Sequence, residues 1–325
     1  MAKNYIERRD VEPWDQIITF KKFWIRRFFR IAPLYYVLLI VAIVMGPWYG
    51  EMRDVISQFA PNTATETSRY ADQSVSNFII HLSFLFGLLP DYGFNTTLPD
   101  WSIGLEMQFY FLFPFIMLIT ARLGYIKSLL AIVFLCCAGR FIFDDYFEAF
   151  KMPSLIFIKL NIFIAGMLLA EAVRKRSFLL VILAQAGPAA SAVIGLDLIK
   201  HQLLMQAVMI AGMAIILWQY PAGGKLEAVI RWPRKMLNNR FNAWLGDVSF
   251  SVYLLHLLIV IPVIAYLLRH WHLGAYLPSA RFAIVCVIVI PPVYLISNFL
   301  YNVVEKAGIR FGKALLTRPA SLSQA

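Results

Sequence analysis

Three short stretches hold residue types able to do chemistry. In WSIGLEMQFY, Ser102, Glu106 and Tyr110 recur at every fourth position, so on a helix they form one polar stripe. In LGDVSFSVYLLH, Ser249, Tyr253 and His256 fall at i, i+4 and i+7, again a single face. In FWIRRFFR, Arg27 and Arg30 stand three apart and share a third face. A carboxylate and an imidazole are acid–base groups. Arginine forks suit phosphates, such as those of a nucleotide-bearing donor. Each feature also has a plainer use. The arginines, flanked by Phe23 and Trp24, fit an interfacial anchor. Glu106 could be a structural acceptor between helices, and His256 a helix-packing hydrogen bond.

The elements that must position these residues follow from composition. Of 325 residues, 60% are hydrophobic and only 15% charged, and the mean hydropathy is +0.67. A soluble domain has about 45–50% apolar and about 25% charged residues, and it needs a wettable outside. The apolar runs are long and continuous, which excludes the alternating ~10-residue segments of a membrane β-barrel. The fold class is therefore all-α, a polytopic transmembrane helical bundle. Within a span, Glu106 must face the bundle interior or a water-filled cavity, because a charge facing lipid is costly.

Apolar runs of span length are expected at about 32–49, 103–121, 127–143, 155–172, 178–197, 203–220, 246–268 and 281–303, eight in all. The stretch NFIIHLSFLFGLL at 77–89 is too short to span and reads as an interfacial or re-entrant helix. His256 lies about ten residues, or about 15 Å, into its span. The connections facing the N-terminal side hold 22 Lys and Arg, and those facing the opposite side hold 6. Both termini are thus expected in the cytoplasm. The formal charge of +11 is explained by this placement between spans, so no nucleic-acid partner is expected. No secretory signal peptide is evident at the start.

Other residues offer less. Cys136, Cys137 and Cys286 lie in apolar runs and read as small packing residues. His270 and His272 lack acidic or sulfur ligands nearby and do not make a metal site. His81 falls in the interfacial stretch and His201 in an outer loop. Arg140 and Lys159 are placed to snorkel from span ends. Glu305, followed by Lys306 and Arg310, reads from its own surroundings as an exposed ionic patch.

Taken in order, FWIRRFFRIAPLYY, DWSIGLEMQFYFLFP, LGDVSFSVYLLH and VVEKAGIR resemble the membrane-bound acyltransferase 3 family over about residues 20–312. The resemblance implies a membrane acyltransferase-like domain over 20–312, between a polar N-terminal segment over 1–19 and a tail over 313–325 that reads from its own residues as disordered. It implies an O-acyltransferase in a bacterial cell membrane. An acyl group, expected to be acetyl, would pass from acyl-CoA to a hydroxyl of a cell-surface glycan or lipid-linked sugar, with no bound cofactor. Arg27 and Arg30 match the arginine pair that engages the donor. Trp101, Ser102 and Glu106 match the central motif, and Ser249, Tyr253 and His256 the late serine–tyrosine–histidine helix. Glu305 matches an acid near the last span. The expected catalytic residues are His256 and Glu106; donor or substrate contacts are expected from Arg27, Arg30, Trp101, Ser102, Tyr110, Ser249 and Tyr253. Met107, Phe250 and Ala307 stand where the family usually has glutamate, tyrosine and proline. Family members usually carry two further spans ahead of the arginine block, the first bearing a catalytic histidine, and those two are expected to be missing here. Two alternatives stay open: a transporter with Glu106 and His256 as a proton relay, and a truncated noncatalytic relative.

Overall fold

The computed structural model describes residues 12–66, 68–193, 200–221 and 223–317. Among them no strand occurs. The longer helices are α1 (Ile17–Val44), α2 (Gly46–Phe59), α3 (Val75–Leu82), α4 (Trp101–Leu123), α5 (Tyr125–Ile142), α6 (Ile156–Lys175), α7 (Phe178–Val193), α8 (Lys200–Leu217), α9 (Lys225–Leu237), α10 (Arg240–His270), α11 (Pro278–Leu300) and α12 (Lys306–Thr317). A π-helical turn at Tyr301–Glu305 joins the last two. Helices α1, α4, α5, α6 and α10 and the continuous run Pro278–Thr317 are long and apolar enough to cross a membrane. These are six of the eight expected spans. The remaining two, 178–197 and 203–220, coincide with α7 and α8. Residues 194–199 between them lie outside the described residues, and the apolar part of α8, Leu204–Leu217, is shorter than a span. The chain is an all-α polytopic membrane protein.

Several boundaries differ from expectation, and the run expected as one span over 32–49 is divided between α1, which ends at Val44, and α2, which starts at Gly46. Helix α1 begins at Ile17 rather than near residue 32, because Phe20 and Phe23 give its first turns a buried apolar face. Arg27 and Arg30 therefore sit inside the helix, not ahead of it. At the other end, α12 carries the chain helically to Thr317, beyond the boundary expected at 312. Residues 1–11 of the N-terminal segment and 318–325 of the tail lie outside the described residues.

The chain forms two compact units: Met1–Phe23 with Gln108–Ala243, and Trp24–Met107 with Trp244–Ala325. In the first, α6 is apolar and buried on most of its circumference, as a central helix must be. Gln108 locks its start, donating to the Ser154 carbonyl at 2.9 Å and accepting from the Ile156 amide at 3.0 Å. At its far end Glu171, 2% exposed, holds Arg174 through two bonds of 2.7 and 2.5 Å and Lys175 at 3.2 Å. Trp14 meets Phe20, Phe23 and Phe113 within 6.1 Å. Helix α9 was not anticipated. It carries Leu226, Val229, Trp232 and Met236 exposed beside Lys225, Arg231 and Lys235, the composition of an interfacial amphipathic helix. Arg234 fixes it by donating to the carbonyls of Ile216 and Trp218 at the end of α8.

In the second unit, Leu34, Tyr35, Leu39, Phe86, Leu98, Ile103 and Leu254 make a fully buried core. The stretch expected to be a short interfacial helix is α3, followed by a tight turn at Leu85–Leu88. Phe84 between them takes a left-handed φ of 61° and lays its ring 5.0 Å from Tyr35. Gly308 and Gly312 bring α12 onto α1. A Cβ on Gly308 would lie 2.6 Å from the Pro33 ring and 2.7 Å from the Phe29 carbonyl, the close approach that glycines four apart permit.

Gly308→Ala is expected to destabilise the detergent-solubilised protein by roughly 1–3 kcal/mol, the usual range for overpacking. Gly139→Ala, with open space around the new methyl, is the control and should be neutral or stabilising. Thermal melts of both variants check this; equal midpoints would show that α12 has no close seat on α1.

Candidate functional site

The second unit holds a cleft of about 400 Å³ lined by Arg30 and Ile31 of α1, Ser102, Ile103 and Glu106 of α4, and Ser249, Phe250 and Tyr253 of α10. Three sequence blocks thus converge on one space. Each contributes through helical phase: Ser102 and Glu106 are one turn apart, as are Ser249 and Tyr253, so each pair points the same way.

A hydrogen-bond chain runs along the cleft wall. Tyr253 Oη lies 2.6 Å from the Pro99 carbonyl and 2.7 Å from Ser102 Oγ. A carbonyl only accepts, so Tyr253 spends its one proton on Pro99. Ser102 must then donate to Tyr253. Its hydroxyl proton is committed, and Ser102 Oγ offers lone pairs to anything in the cleft. The wall presents an acceptor, which selects for a ligand with a hydroxyl or another donor. Glu106 adds a half-buried carboxylate. Arg30 adds a cation from α1.

Not all expected site residues come together. His256 is half-buried one turn beyond Tyr253, its ring 5.9 Å from the tyrosine, and it is not among the cleft-lining residues. Its Nδ1 lies 2.6 Å from the Tyr253 carbonyl, so Nδ1 donates and Nε2 keeps a lone pair in the neutral ring. With α10 starting at Arg240, His256 lies about midway along the helix, at roughly 24 Å from its start. Trp101 opens α4 and Arg27 sits one turn before Arg30; both are half-buried. Ser249 also bonds back to the Gly246 carbonyl at 2.8 Å. Tyr110 belongs to the first unit, buried with Phe23 edge-on at 6.0 Å.

Glu305 corrects an expectation. It is no exposed patch but 2% exposed, accepting from Ser251 Oγ at 3.1 Å. The π-helical turn turns it inward, and such turns recur at functional sites. Arg30 is close enough for its charge to act on Glu305, and Tyr301 donates to Asp247 nearby. A second buried acid, Asp100, 1% exposed, stands just ahead of α4 and close enough for its charge to act on Tyr253. Its Oδ2 accepts from Thr96 Oγ1 at 2.7 Å and from Tyr35 Oη at 3.4 Å, and stands 3.6 Å from His81 Nε2. Burial pushes its carboxyl above the usual range, with His81, Thr96 and Arg69 pulling it back. Asp100 and His81 escaped sequence reasoning. The available signal was Asp100 itself, an N-cap residue type just ahead of an apolar helix. Among the described residues no three His, Cys, Asp or Glu side chains gather as metal ligands; His201's side chain lies outside them.

Comparison with curated proteins and with solved structures yields no match. A family model described as an acyltransferase domain matches residues 16–298, a range holding every cleft residue. That match covers most of the chain, which therefore belongs to the acyltransferase 3 family.

Proposed function

We propose that this membrane acyltransferase moves an acyl group from acyl-CoA to a hydroxyl of a cell-surface glycan or lipid-linked sugar, with acetyl as the expected group. The observation that carries this reading is the direction of the Ser102–Tyr253–Pro99 chain. It leaves Ser102 Oγ an acceptor in a cleft that also holds a carboxylate and a guanidinium. An acceptor hydroxyl docks by donating to Ser102 and then turns its single proton to a base, because Ser102, with its own proton committed, cannot pass one on. The oxygen attacks the thioester carbon as the base takes that proton, the C–S bond breaks and the leaving CoA thiolate takes the proton up. Glu106, in the cleft, is the base this geometry favours. His256, with Nε2 available one turn further on, is the relay to or from it. Arg30, with Arg27 one turn behind, supplies cationic forks for the donor's phosphates. The charge asymmetry of the connections supports cytoplasmic termini and a donor arriving from that side of a bacterial cell membrane. Family membership sides with acyl transfer against the transporter alternative.

Two outcomes are expected. Glu106→Gln should lower O-acylation by about 10²–10⁴-fold, the range for loss of a general base, with unchanged membrane level and melting temperature. Wild-type turnover would reduce Glu106 to packing. Arg30→Ala should weaken acetyl-CoA binding in detergent by about 10–100-fold, the loss of a charge-assisted bond, and Arg27→Ala should weaken it less. Titration calorimetry on both variants checks this, and unchanged affinity in both removes the donor-clamp role.

A further inference from the structure

The buried His81–Asp100 pair has no part in the chemistry above, yet it holds the strap on which the cleft wall hangs. His81 is fully buried. Its Nδ1 lies 2.9 Å from the Asn77 carbonyl, and its Nε2 faces Asp100 at 3.6 Å. His81 is 0% exposed, so burial, with Nδ1 on a carbonyl and Nε2 facing a carboxylate, keeps its ring from reaching a substrate. Its ring lies flat on Phe86 at 4.6 Å, 7° from parallel. Phe86 in turn lies against Gly104 of α4, where a Cβ would come within 2.8 Å of its ring. Only a glycine lets this stack sit directly against the first turn of the motif helix.

Asp100 is the hinge of the arrangement. Its carbonyl accepts the Ile103 and Gly104 amides at 2.7 and 3.0 Å, starting α4. Its carboxylate is fixed by Thr96, Tyr35 and His81. Arg69 ties the same strap from outside, donating to the Thr96 carbonyl at 3.0 Å with its guanidinium 3.6 Å above Phe94. Pro99, one residue before Asp100, supplies the carbonyl that orders the Tyr253 and Ser102 hydroxyls. A rotation at Asp100 would move that carbonyl and free the chain to reverse.

We propose that His81 and Asp100 are positioning residues for acyl transfer, holding the 96–100 strap so that the Pro99 carbonyl fixes the direction of the Tyr253–Ser102 chain. The inference rests on the cleft being the transfer site. His81→Phe keeps the ring stack and removes both nitrogens. It is expected to lower kcat about tenfold while the KM for acetyl-CoA and the melting temperature stay at wild-type values. In a Ser102→Ala background the same substitution should change kcat by less than twofold, because residues acting through one another are not additive. Multiplicative losses, unchanged kcat in His81→Phe, or a joint fall of kcat, donor affinity and melting temperature would each overturn the proposal. If His81→Phe does not reach the membrane folded, Tyr35→Phe, which removes one hydroxyl from Asp100, carries the same cycle with the same expected and overturning results. Full activity in Ser102→Ala itself would instead refute the cleft reading on which the inference stands.

Discussion

A carboxylate withdrawn from water must be given protons or cations, and this constraint organises both units. Leaving one unpaired in a low-dielectric interior costs several kcal/mol. Each buried acid accordingly gathers a dedicated set of donors. Glu171 is closed by a bidentate arginine and a lysine within its own helix, so it is self-contained and ends α6. Asp100 and Glu305 are satisfied instead by side chains from other elements: Thr96, Tyr35 and His81 for one, Ser251 for the other. A local solution stabilises a helix end. A distant one fixes the relative positions of segments far apart in sequence, and both distant solutions adjoin the cleft.

The same economy of donors explains why hydroxyl groups dominate the site. A hydroxyl gives one proton and accepts two, so a row of them ending on a carbonyl has only one consistent direction. Pro99 is such an end, held in place by Asp100, which both starts α4 and is tied through its carboxylate. Tyr253 and Ser102 are 151 residues apart, yet their 2.7 Å contact is determined by where a single backbone oxygen sits. The positions are held by packed helices rather than mobile loops, which is the arrangement that holds a site to tight tolerance. Glycines provide the approach distances, at Gly308 for α12 on α1 and at Gly104 for the Phe86 stack.

Much of this was legible from spacing. Helical phase alone paired Ser102 with Glu106 and Ser249 with Tyr253, because side chains four apart share a face whatever the tertiary fold. The expense of an intramembrane charge directed Glu106 inward. What spacing could not supply was the partner across space: nothing near Ser102 names Tyr253, and nothing near Asp100 names His81 or Tyr35. Glu305 was misread for the same reason. Beside Lys306 and Arg310 it resembles a solvated patch, and only the π-helical turn, which shifts the phase by about one residue, buries it. Helix α9 leaves no long apolar run in the sequence, because its apolar residues are interleaved with cations and occupy one face.

The front of the chain shows how a local pattern can carry the right residues and the wrong element. The arginine block reads as a polar approach to a span, since four cations lie within Lys22–Arg30. The helix nevertheless starts at Ile17, because Phe20 and Phe23 are buried on the face those cations leave open. Arg27 and Arg30 are thereby placed along a rigid rod, and Arg30 is presented to the cleft by the same turn of α1 that supplies Ile31 to its wall. An arginine on a disordered leader would have to give up side-chain and backbone freedom to bind an anion. One already fixed on a helix loses only the freedom of its own side chain, so the helical setting of Arg30 itself preorganises the cation at the cleft.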